Sequence, residues 1–126
     1  MKDSIIQDMR FADYDIIDGS YPVERHHIFE GVADRKLSDR DGLWVSLSKE
    51  HHTAGKKPKA GTNCDAHSCK IFGTLLHMIG QLAWERDYLS ERAALLSGIS
   101  AGFISAEDLK KESREQFMKV YGKNYL

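Results

Sequence analysis

Several things this chain has little of narrow what it can be. It holds only two cysteines in 126 residues, Cys64 and Cys69. Two cysteines make no disulfide framework, and the C-x4-C spacing is not that of a zinc knuckle. Reduced thiols near the start of a helix are expected. No apolar run approaches the ~20 residues needed to cross a bilayer. The opening MKDSIIQDMR is charged and lacks the apolar stretch of a signal peptide. These absences lead to the expectation of a cytoplasmic protein with no membrane partner. Charge of one sign is also missing. The net charge is −1 with histidine neutral, which argues against a generally basic nucleic-acid coat. The basic residues are nevertheless clustered. Arg35, Lys36 and Arg40 share one stretch, and Lys56, Lys57 and Lys59 another. Each is read either as a solvated loop or as a phosphate contact.

What is abundant is ordinary, except for the histidines. Hydrophobic residues make up 41% and charged residues 29%, the balance of a globular domain. There is neither an internal repeat nor a low-complexity tract, so residues 1–126 are read as one domain. Four of the six histidines fall between Val23 and His52, as the pairs His26-His27 and His51-His52. The Gly19-Ser20-Tyr21-Pro22 stretch marks a turn. Val23 to Phe29 then reads as a strand, and Glu30 to Gly42 as a long polar loop bounded by Gly31 and Gly42. Leu43 to Ser48 alternates as a second strand. Ser48 is placed to cap a short helix from Lys49 that carries both His51 and His52. The expected class is α+β, with a β-hairpin plus short helix over about residues 15–55 and C-terminal α-helices over about residues 66–122.

In that second part a long helix is expected over about 66–88, with Ile71, Leu75, Ile79 and Leu82 as its buried stripe, broadened by Phe72, Leu76 and Ala83. His77 lies off the stripe and is read as exposed. Residues 89–112 look helical but interrupted at Gly98 and Gly102, with Ser105 able to cap a new segment. A last helix is read from a capping box at Ser113 to a stop at Gly122, burying Phe117, Val120 and Tyr121.

If the strands pair antiparallel, His26 and His27 approach His51 and His52. Adjacent strand residues point to opposite faces, so one histidine of each pair can serve a shared site. Neutral imidazole is the commonest ligand for divalent transition metals and the usual general base near neutral pH. The arrangement suits metal-assisted hydrolysis.

The motifs HHIFEG, DRKLS, GLWVSL and EHH, with SIIQDM before them and SREQFMKVYGKNYL at the end, resemble the HNH, or His-Me finger, endonucleases. The likeness is to small members carried by bacteriophages and prophages, which would place the protein in the host cytoplasm. It covers most of the chain outside roughly residues 84–112. It implies a ββα-metal core that cleaves DNA phosphodiester bonds, leaving a 5′-phosphate, with a divalent cation (Mg2+, Mn2+, Ni2+ or Zn2+). By position, His26 and His52 match the metal ligands and His27 the general base. His67 matches a further ligand or phosphate contact. Arg35 and Lys36, with Lys56 and Lys57, would face DNA. Two features depart from the family. The Cys pairs of its structural zinc are replaced by Asp15, Asp18, Ser48 and His51, so that zinc is expected to be absent. The family asparagine is not evident; Asp34 stands nearest its place, with Asp39 and Asp41 as substitutes. These departures leave a second reading open, a non-catalytic binding or inhibitor protein with a protein partner.

Overall fold

The computed structural model describes residues 2–53, 65–96 and 105–126. Its architecture is α+β. Strand β1 (Val23–His27) pairs antiparallel with β2 (Trp44–Ser48), and helix α1 (Val32–Asp41) lies in the connection between them. Helix α2 (Lys49–Thr53) follows β2 without a break, and α3 (Lys70–Leu96) and α4 (Ala106–Tyr121) complete the described chain.

The expected loop between the strands is therefore mostly helix. Its polarity misleads because a surface helix needs few apolar residues. Within α1 only Ser38 is buried. Its hydroxyl accepts from the Phe29 N–H (3.2 Å) and donates to the Phe29 carbonyl (3.1 Å), which ties the helix to the end of β1. Gly42 ends α1 in the left-handed conformation, φ 71°. A side chain there would collide with the Asp3 carbonyl, because the N-terminal segment passes directly over it.

That segment covers β2. Trp44 donates its indole N–H to the Lys2 carbonyl (2.9 Å), the Ser46 N–H reaches Gln7 Oε1 (2.8 Å), and the Ile16 N–H bonds the Ser46 carbonyl (2.9 Å). Every residue from Trp44 to Leu47 is consequently buried, although the alternation suggested one solvent face.

The core joins the hairpin to the later helices. Ile28, Phe29, Leu43, Val45 and Leu47 pack with Leu76 of α3 and with Phe117 and Tyr121 of α4. At the crossing, Gly80 lets α3 approach so closely that a Cβ would sit 2.5 Å from the Ile28 side chain. Asp41 joins three elements: it accepts from Tyr121 Oη (2.7 Å) and Trp84 Nε1 (3.1 Å) and pairs with Arg40. Burial alone would raise the Asp41 pKa, but these three donors outweigh it and hold the carboxyl below its ordinary value.

Three expectations for the helical part need correction. Of the expected stripe Leu76 and Ala83 are buried and Phe72 is half-buried, but Ile71, Leu75, Ile79 and Leu82 are exposed, and Gly80, Gln81 and Glu85 complete the buried face of α3. Spacing gave a stripe, but small and polar residues line the packed side. His77 is half-buried, stacked on Phe29 at 5.4 Å and tilted against Tyr125 at 4.8 Å. Ser113 caps nothing: α4 runs unbroken from its cap at Ser105, whose hydroxyl accepts from the Asp108 N–H, and Ser113 is buried in mid-helix. The stop at Gly122, with φ 78°, is as expected. Cys69 is disulfide-bonded rather than reduced. Cys64, Gly98, Gly102, Lys56, Lys57 and Lys59 lie outside the described residues. Among the described residues no helix is long and apolar enough to cross a membrane.

Candidate metal centre

Three histidines from three segments meet beside the hairpin. His26 comes from β1, where Val45 is its cross-strand partner. His52 comes from α2, which starts where β2 ends, across from Val23. His67 comes from a turn just before α3, not from the helix itself. That turn is held by the Ala66 N–H on the His51 carbonyl (2.7 Å) and by the Ser68 N–H on Asp65 Oδ1 (2.6 Å). The rings sit 4.7–5.2 Å apart, centroid to centroid. One nitrogen from each lies within 4.8 Å of the others, close enough to hold one metal ion.

The hydrogen bonds fix where the lone pairs are. His52 Nδ1 meets Glu24 Oε1 at 3.3 Å, and His67 Nδ1 meets Glu30 Oε1 at 3.2 Å. A carboxylate only accepts, so each Nδ1 carries the proton. In the neutral rings both lone pairs then sit on Nε2, and those two atoms face each other at 3.0 Å. Two lone pairs cannot face each other at that distance without positive charge between them, either a proton or a metal ion. His26 adds a third ring. Its burial, then the charges of His52 and His67, pull its pKa down to about 3, and its buried Nδ1 has no hydrogen-bond partner.

His27 stands beside this trio. Its Nε2 lies 2.7 Å from Asp39 Oδ1. The carboxylate again takes the N–H, which leaves Nδ1 as the basic nitrogen. Arg25, His26, His27, Glu30, Arg35, His52 and His67 all line one cavity of about 370 Å³. Both histidines of the first pair thus reach the cavity, where strict alternation would admit one. The strand ends at His27, and the cavity wraps around that end.

The second histidine pair divides as expected. His51 turns away into the interior, where its Nδ1 bonds Asp15 Oδ2 at 2.7 Å. Asp15 also accepts from the N–H groups of Ser48 (2.6 Å), Ile17 (2.6 Å) and Asp18 (3.2 Å). Burial opposes its ionisation, but these bonds prevail and hold its pKa at about 2. Asp15, Asp18 and His51 form a second group with ligand atoms within 4.8 Å. It has no thiolate, and Asp15 already spends both oxygens on hydrogen bonds, so it is chemically the poorer metal site.

The other sequence-derived residues distribute unevenly. Arg35 lines the cavity from α1. Lys36 is exposed on the same helix and does not line it. Asp34 is not brought to the cavity either. Five residues separate it from Asp39, about 140° around a helix, and its charge acts on Tyr121 and Tyr125 instead. Asp39, the alternative, is the carboxylate that meets His27. Glu24 and Glu30 were missed from sequence. A faint signal existed for Glu24, which is two residues before His26 and so on the same strand face.

Comparison with protein-family models, with curated proteins and with solved structures gives no match.

Proposed function

We propose that this chain is a metal-dependent endonuclease of the HNH, or His-Me finger, type, with DNA as its substrate and the hairpin and α2 as a ββα-metal core. The observation that carries the reading is the convergence of three imidazoles, two of them with Nε2 atoms 3.0 Å apart and each with a glutamate at Nδ1, beside a histidine oriented by a carboxylate.

The donor set fits a divalent cation of borderline character. Imidazole suits Zn2+ and Ni2+ and tolerates Mn2+, whereas Mg2+ prefers oxygen ligands. His26, His52 and His67 would hold the ion, which when bound supplies Lewis acidity toward a phosphoryl oxygen and the leaving oxygen. The chain's own residues do the rest. Asp39 keeps the proton on His27 Nε2, so Nδ1 can accept a proton from the attacking water. Asp39 also stabilises the imidazolium that results. Arg35, exposed at the cavity rim, is placed to hold a phosphate. Arg25, whose guanidinium lies over the Trp44 ring at 3.8 Å, offers a second cation fixed in direction.

The test is plasmid DNA with Mn2+, Ni2+, Zn2+ or Mg2+, using the parent and His27→Ala. Cleavage by the parent, lost in the variant while metal binding persists, is the expected result. No cleavage with any of these ions overturns the nuclease reading and leaves the binding-module alternative.

A further inference from the structure

We propose that the chain forms a symmetric dimer in which α3 packs against α3 of a second copy. Leu75, Leu82 and Leu89 recur at every seventh residue of this helix, the period of a helix that packs along another helix. Ile71 and Met78 fall at the alternate apolar positions. The stripe faces away from the core. By helical geometry Leu82 lies about 160° from Gly80, which meets the hairpin, and Ile71, Leu75, Ile79 and Leu82 are 74%, 51%, 43% and 54% exposed. Its main helical neighbour among the described residues, α4, leaves the stripe uncovered. It binds a flank through Arg92–Glu112 and Ser113–Glu85, and the groove between the two helices continues the apolar surface from Leu82 and Leu89 to Met118.

Area and charge select the occupant. The exposed stripe is on the order of 500 Å², the upper part of the range for an ordinary monomer's largest patch. Doubled in a symmetric pair it reaches ~1,000 Å², about what a specific interface requires. A net charge of −1 sets no long-range repulsion between copies.

Sedimentation of the full chain from micromolar to ~100 µM tests this. A dimer is expected in the parent and only monomer in Leu82→Glu, with unchanged helical circular dichroism. Val32→Glu, an exposed position on α1, keeps the dimer. Leu75→Glu, on the same stripe, likewise gives only monomer. A parent that stays monomeric, a dimer that survives Leu82→Glu or Leu75→Glu, or a dimer lost in Val32→Glu overturns the proposal.

Discussion

At the scale of single residues, the site is organised by carboxylates as much as by histidines. Glu24 and Glu30 decide which nitrogen of His52 and His67 bears the proton, and Asp39 does the same for His27. Removing such a partner frees the ring to take the wrong tautomer or orientation. Glu30→Gln should therefore weaken metal binding by about 10- to 100-fold, measured by calorimetry with Zn2+ or Ni2+, and unchanged affinity would refute the role. Asp39→Asn should leave metal affinity intact and lower the cleavage rate by about 100-fold or more, because an amide can donate to Nε2 and so stabilise the wrong tautomer. Asp34→Asn, on another side of α1, should change neither.

Elements are placed by a few polar anchors. Asp15 joins the N-terminal segment to β2 and α2 through Ser48 and His51. Its pKa, about 2, lies below the ordinary 3.8, so the unfolded chain binds more protons between those values. The resulting stability is complete above about pH 4 and is lost as pH falls through about 2, a contribution on the order of 2 kcal/mol. Acid denaturation of the parent and of Asp15→Asn, followed by circular dichroism, should show this step in the parent alone. Asp41 plays the corresponding part for α1, α3 and α4. Tyr121→Phe removes one donor to a carboxylate and should cost about 1.5–3 kcal/mol in denaturant unfolding. Gly80→Ala should cost about 1–3 kcal/mol, because the added methyl has no room against Ile28.

Across the whole molecule, the hairpin depends on what packs behind it. Two strands alone are marginal in water. Here one core runs from Val45 and Leu47 through Phe29 to Leu76, Phe117 and Tyr121. The cavity with its histidines opens beside the hairpin, whereas the apolar stripe of α3 lies on the side turned away from the core. Truncating the chain before α4 should therefore lose the cooperative thermal transition and the metal affinity together. A truncated chain that kept tight metal binding would show that the hairpin and α2 stand alone.

The sequence by itself determined the antiparallel pairing region, α2 with its divided histidines, the end of α4 at Gly122, and His26, His27 and His52 as residues of one neighbourhood, to which only family resemblance added His67. Those features are local: alternation, caps and a left-handed glycine act over a few residues, and α2 follows β2 without a break. Tertiary structure alone decided the rest. Which face of α3 is buried depended on the close approach at Gly80, and spacing does not show which stripe has a partner. Whether Asp34 or Asp39 meets His27 depended on the rotation of α1, set by the buried Ser38 against Phe29. The protonation pattern of the histidines depended on Glu24 and Glu30, carboxylates on exposed residues whose role appears only when the chain brings them within hydrogen-bond distance.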